Sequence, residues 1–213
     1  SRFARDLPEV VAMVRGAATE PVTITESSFQ PGRLLTLRTR NSSAYKGLYA
    51  LVMRDGGRDF RTGEPIQQQE FFDDQIDIHH IFPEKWCKSF GLEPATYNSV
   101  INKTAISART NRQIGGKAPS RYLAAVQKSA DIDSDSLNEI LASHCIDPEH
   151  LRADQFWKFY AGRAELLLKH IETATGKSIT REPGLFDHGQ AEESYDEGPE
   201  DWESEESREE SAS

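Results

Sequence analysis

Two adjacent histidines, His79 and His80, stand with Asp77 in the segment Asp77-Ile78-His79-His80-Ile81-Phe82-Pro83. The segment reads as the end of a strand, which gathers two imidazoles and a carboxylate into one small volume. Such a set suits proton transfer or metal ligation, although a histidine pair alone is as compatible with an incidental placement. Downstream, VINKTAISARTNRQIGGK carries Asn102 and Asn111 nine residues apart. Asn111 falls inside a predicted helix, where asparagine is a poor interior residue, while a cap or turn explains Asn102 taken alone. Lys103, Arg109, Arg112, Lys117 and Arg121 crowd into the same stretch. They suit a phosphate track, although a solvated helix face explains each of them singly. Gly115-Gly116 reads either as a helix stop or as a place where the protein backbone approaches a nucleic acid closely.

Other chemically loaded residues read more simply. Cys87 beside Trp86 has no base at a recognisable spacing and reads as core packing. His144, His150, His170 and His188 lack partners at ligand spacing and read as surface or core residues. Asp131, Asp133 and Asp135 imitate the first three ligand positions of an EF-hand loop. The sixth position is Ser136 instead of Gly and the twelfth is Ala142 instead of Glu, so helix capping is preferred to calcium.

These residues need elements to hold them. Leu7, Val10, Val11 and Val14 at i, i+3, i+4, i+7 predict a helix over 6–15, and Tyr45, Leu48, Leu51 and Val52 predict a second one capped by Asn41 or Ser42; both apolar faces read as core. PVTIT at 21–25 reads as a strand, and Thr62-Gly63 marks a turn. A short helix at 84–90 and an extended stretch near 100–106 follow. The next helix opens at Ser107 and stops at Gly115, so the histidine segment belongs to a strand, strand, helix unit. Further helices are expected at 119–129, at 135–143 with Ser134 as cap, and at 155–175, where Phe156, Phe159, Tyr160, Leu167 and Ile171 share a face.

The composition bounds the setting. The chain has 213 residues, 37% of them hydrophobic, and a net charge of −10. Residues 189–213 contain eleven acids and one arginine, which leaves 24 acids and 24 bases in residues 1–188. The acidity therefore belongs to the tail, and the remainder is not too acidic to meet nucleic acid. The tail has too few apolar residues to offset its ordering entropy and reads as disordered. No apolar run approaches the roughly 20 residues of a spanning helix, which excludes a membrane partner in this reading. Without an initiator methionine or a signal-peptide block, the chain reads as a piece of a longer protein, and the two isolated cysteines suit a reducing cytoplasm.

His79-His80-Ile81-Phe82-Pro83, Asn102, Thr110-Asn111-Arg112, Gly115-Gly116-Lys117 and Pro119-Ser120-Arg121-Tyr122-Leu123 together resemble the HNH, or ββα-metal, nuclease domain of GmrSD-type modification-dependent restriction endonucleases and their antiphage relatives. Arg163-Ala164-Glu165-Leu166-Leu167, Thr175-Gly176-Lys177, and the stretch from Thr39-Arg40-Asn41 to Tyr49-Ala50-Leu51 resemble that family too, so the likeness covers about residues 30–180. It implies an α+β, mostly helical fold, and with the tail outside the likeness the chain is expected to divide into four parts. Residues 1–75 would form an N-terminal helical or mixed part, 76–117 the ββα-metal core, 118–182 a C-terminal helical part, and 183–213 the acidic tail.

The resemblance also implies roles. His79 and Asn111 would hold one divalent metal against the scissile DNA phosphate, with Asp77 as a further ligand, a partner for His79, or a solvated strand-edge carboxylate. His80 would be the general base and Asn102 the residue that orients its ring. Lys103, Arg109, Arg112, Lys117 and Arg121 would contact DNA phosphates. His79 stands where an aspartate is common in this motif, so manganese, nickel or cobalt is expected to serve as well as magnesium or better. The expected partner is an N-terminal nucleotide-hydrolysing, DNA-sensing domain, and the expected activity is nicking of DNA as the effector of an antiphage restriction system. The competing expectation is a non-catalytic nucleic-acid or protein-binding module that holds a structural metal.

Overall fold

The computed structural model describes residues 2–17, 20–39, 42–66 and 76–187. Among these residues the strands form one antiparallel pair, β1 (Ile76–His80) and β2 (Lys103–Ser107), apart from an isolated bridge between Arg58 and Pro65. The register sets Ile78 opposite Ala105, His79 opposite Thr104 and His80 opposite Lys103. The helices α1 (Arg2–Val14), α2 (Val22–Thr25), α3 (Arg33–Thr36) and α4 (Ser43–Arg54) precede the pair. Between its strands lie α5 (Glu84–Ser89), α6 (Pro94–Tyr97) and a 3₁₀ turn, Val100–Asn102. Then come α7 (Ala108–Ile114), α8 (Pro119–Ala130), α9 (Ser134–Ala142), α10 (Pro148–Arg152) and α11 (Phe156–Thr175). The class is α+β and mostly helical, as expected. No helix among the described residues is long and apolar enough to cross a membrane. The acidic stretch 189–213 lies outside the described residues.

The strand, strand, helix unit forms where the sequence puts it. Ser107 caps α7, its Oγ accepting from the Thr110 N–H at 3.2 Å. Gly115 ends the helix at φ +52°, ψ −150°, a conformation that an L side chain disfavours. The start of α9 differs by one residue from expectation: Asp133 is the cap, its carboxylate accepting from the Ser136 N–H at 2.7 Å. Helices α3, α6 and α10 are too short to leave a periodic signal.

Two expectations near the N-terminus need correction. Residues 21–25 form a single helical turn instead of a strand. Their β-branched residues meet no strand to pair with, whereas Glu9 accepts from the Val22 N–H at 2.8 Å and Asp6 from the Thr23 hydroxyl at 2.5 Å, which satisfies the start of a helix. The apolar stripe of α1 is not core either. Leu7 is 57% exposed and Val14 82%, because α1 packs on α2, whose one turn is too small to cover the stripe.

The core is one cluster running from Leu34 to Phe186, and α11 crosses it with Phe156, Phe159, Tyr160, Leu167 and Ile171 buried as read from the sequence. Arg163, on the same helix, is buried as well. Its guanidinium donates to the carbonyls of Val100 (3.0 Å), Ile101, Lys103 (2.9 Å) and His144 (3.3 Å). His144 continues this polar seam. Its Nε2 donates to the Arg58 carbonyl at 2.7 Å, and its Nδ1 accepts from the Thr104 hydroxyl at 2.6 Å. Burial, reinforced by Arg163, pushes the His144 imidazole down to about 4.

Because the folded value lies below the ordinary 6.5, the unfolded chain takes up a proton at this position first as pH falls. The stability carried by neutral His144 is therefore complete above pH 6.5 and drains away between 6.5 and about 4. Urea midpoints taken across that interval should fall steadily. His144→Gln, whose amide can serve both partners, should flatten the slope; an unchanged slope would mean that other groups set the acid sensitivity.

Candidate functional site

The end of β1, α5 and α7 surround a cleft of about 550 Å³. His79, His80 and Asn111 all line it, together with Glu84, Lys85, Lys88 and Arg112. Successive residues of a strand address opposite faces, so His80 lies on the side of its partner Lys103 and His79 on the side of Thr104. Both reach the cleft because β1 ends there and the chain turns sharply into α5. Asn111 arrives from the second turn of α7, whose position is set from β2 through the Ser107 cap.

A second support for α7 comes from a residue that the sequence does not single out. Asp59 is 5% exposed, and its carboxylate accepts from the Ser107 N–H (2.8 Å), the Thr110 hydroxyl (2.7 Å) and the N–H groups of Arg61 and Thr62. Burial alone would raise its pKa, but these bonds outweigh it and hold the carboxyl below the usual carboxylate range. The ionised side chain thus ties the turn around residues 59–62 to the first turn of the helix that carries Asn111. On the opposite side, a Cβ on Gly116 would stand 2.9 Å from Lys85 Cδ and 3.1 Å from its Cβ. Gly116 therefore serves a close approach within the protein, between the end of α7 and α5, in addition to the helix stop at Gly115.

Asn102 does not orient His80 directly. It is fully buried, and its Oδ1 accepts from the Phe82 N–H at 2.9 Å while its Nδ2 donates to the carbonyls of Phe82 and Tyr97, both at 3.0 Å. The amide is consumed in holding the turn after β1 against the end of α6. That turn is pinned twice more, by the Ile81 N–H on the Asn102 carbonyl (2.8 Å) and by the Tyr122 hydroxyl on the Ile81 carbonyl (2.9 Å). The side chain that meets His80 is Asn98, 2.8 Å from Nε2 through its Oδ1, with the Tyr97 ring edge-on at 5.9 Å. Burial, then the charge of Lys103, pushes the His80 imidazole down to about 4, so the ring is neutral near pH 7.

The cationic residues of the cleft are Lys85, Lys88 and Arg112. Lys88 is ion-paired with Glu84. Of the five basic residues expected from sequence, Arg112 lines the cleft, and Lys103 stands by His80 with its Nζ donating to the Arg38 carbonyl. Arg109, Lys117 and Arg121 are exposed and outside the cleft lining. Lys85 and Lys88 were hidden from sequence reading because they enter from a helix outside the dense basic stretch. Cys87 is buried and hydrogen-bonded to the Phe82 carbonyl, and burial pushes its thiol up to about 12, which fits core packing.

Among the described residues, no three His, Cys, Asp or Glu side chains are grouped so as to hold a metal ion. The backbone of Asp77 pairs with Ile106, while its side chain lies outside the described part. Of the expected ligands, His79 and Asn111 line the cleft and offer one imidazole and one amide, beside His80 and the ion-paired Glu84. That set fits a divalent cation only if water and a substrate oxygen fill its remaining positions.

No protein-family model and no solved structure matches the chain. The chain is similar to an uncharacterized protein of the archaeon Methanocaldococcus jannaschii, 28% identical over an alignment of 160 residues that covers 70% of this chain and 27% of that protein. The matched region therefore spans about a quarter of the relative's length.

Stripping Asn102 removes three hydrogen bonds to buried backbone groups, at a cost of roughly 2–4 kcal/mol. Asn102→Ala should lower the urea midpoint accordingly. A loss under about 1 kcal/mol would mean that water replaces the amide.

Proposed function

We propose that this chain is a metal-dependent HNH-type endonuclease domain that nicks DNA. The observation that carries the reading is the convergence of His79, His80 and Asn111, from a strand end and a helix some thirty residues later, on one cleft bordered by Lys85, Lys88 and Arg112. Hydrolysis of a phosphodiester requires a deprotonated water, compensation of charge on the non-bridging oxygens, and a stabilised leaving alkoxide. His80, held neutral at the cleft, accepts the proton of the attacking water. Lys85, Lys88 and Arg112 bind the phosphate backbone on either side of the scissile group, and contacts of that kind position DNA without reading its sequence. His79 and Asn111 are the residues that would hold the divalent metal. When bound there, the metal supplies compensation for the charge that builds on the phosphate oxygens.

We further propose that the domain is the effector of an antiphage restriction system, working in the cytoplasm with a nucleotide-hydrolysing sensor domain. The family resemblance supports this, and the archaeal relative, of which the match covers 27%, has the length for additional domains.

Supercoiled plasmid incubated with the chain and a divalent metal should be nicked, and His80→Ala should slow nicking by about 10²–10⁴-fold while metal binding stays intact. Near-normal nicking by that variant would sink the assignment of His80. A neutral nitrogen and a neutral amide attract magnesium weakly, so manganese, nickel or cobalt should support nicking at lower concentration than magnesium, and His79→Asp should shift the preference toward magnesium. Titration of each metal against both proteins decides this; identical profiles would remove His79 from the metal.

A further inference from the structure

The contact between Asn98 and His80 has a chemical consequence for the ring. An amide Oδ1 has lone pairs and no proton, so the ring nitrogen 2.8 Å from it must be the donor. That nitrogen is Nε2. A neutral imidazole carries one proton, and with Nε2 holding it, the lone pair resides on Nδ1. We propose that Asn98 is the positioning residue that selects the His80 tautomer and makes Nδ1 the nitrogen that receives the proton from water. This rests on the nuclease reading of the site and deepens it.

The surrounding structure delivers Asn98 as a fixed acceptor. The residue before it is held by Asn102 Nδ2 on the Tyr97 carbonyl. The residue after it is held by the Ser99 hydroxyl, 2.7 Å from the Tyr160 hydroxyl, and the Val100 N–H then donates to the Leu37 carbonyl at 2.7 Å. The Asn98 N–H closes the last turn of α6 on the Pro94 carbonyl at 3.0 Å. With its backbone anchored on both sides, the carboxamide has little freedom to leave the ring. The edge-on Tyr97 ring limits rotation of the imidazole, so orientation and tautomer are chosen together. Asn102 thus acts on His80 at one remove, by placing the backbone from which Asn98 reaches it.

The test reads the tautomer itself. On the full chain labelled with ¹⁵N in histidine, a long-range proton–nitrogen correlation spectrum near pH 7.5 distinguishes the protonated from the bare ring nitrogen, and His80→Gln assigns the signal. Wild type should show Nε2–H. Asn98→Leu, similar in size but without an acceptor, should lose that preference and lower kcat by about 10–100-fold, with KM and metal affinity nearly unchanged. Asn98→Asp restores an acceptor at the same place and should restore the tautomer. A proton on Nδ1 in wild type overturns the proposal, as does an Asn98→Leu protein that keeps both the Nε2–H signal and the wild-type kcat. Should Asn98→Leu fail to fold, the wild-type spectrum still decides. A chain that shows the expected tautomer, and loses it in Asn98→Leu, but leaves supercoiled plasmid uncut with every divalent metal would end the nuclease reading and leave the role of Asn98 on the ring intact.

Discussion

A cation buried without a carboxylate among its hydrogen-bond partners anchors this structure. Arg163 is 1% exposed, and desolvating a guanidinium costs several kcal/mol unless its donors are met. They are met by main-chain carbonyls, three of them in the segment from Val100 to Lys103. Those carbonyls must converge to serve one guanidinium, so the segment takes the form of a 3₁₀ turn running into β2. That turn sets the direction of Asn102, whose amide fixes Phe82 and Tyr97, and Tyr97 in turn precedes Asn98. Each step is a hydrogen bond to a buried or partly buried group, which would be costly to leave unmet. The sequence of constraints runs from the middle of the longest helix to the ring of His80 without passing through a flexible side chain.

The cleft places two kinds of electrostatics side by side. His80 at its wall and His144 in the core behind it are held neutral by burial, and Asp59 is held ionised by the donors of Arg61, Thr62, Ser107 and Thr110. At the rim, Lys85, Lys88 and Arg112 present charge to solvent, with Glu84 drawing Lys88 into an ion pair. The supporting framework keeps its protonation states by geometry, whereas the charges at the rim face solvent. A lysine in place of Arg163 would not substitute, since an ammonium cannot fan across carbonyls as a planar fork does.

The parts of the site legible in the sequence were those with local cause. His79 and His80 sit on one strand, Ser107 caps a helix, and Asn111 lies one turn on from that cap, so type and spacing sufficed. Asn98 and Asp59 were not legible because the contacts they make are selected by the packing of distant segments: Asp59 reaches Ser107 and Thr110 from about fifty residues away. For Asn102, spacing reveals that an asparagine is near the turn and not which backbone groups consume its amide. The stripe of α1 misleads for the opposite reason. Periodicity identifies an apolar face, and only the size of the neighbouring element determines whether anything covers it.

The positions of Arg163 and His144 in the chain bear on the order in which the protein is made. A ribosome releases residues 76–114, with every side chain of the proposed chemistry, well before it reaches the middle of α11. Until then the Val100–Lys103 carbonyls lack the cation that gathers them, and the Thr104 hydroxyl lacks the imidazole that closes the seam to Arg58. A two-stranded hairpin of this length has little stability by itself. The nascent chain therefore carries residues 76–114 as an unassembled set until α11 follows, and the geometry of the cleft arrives only with that helix.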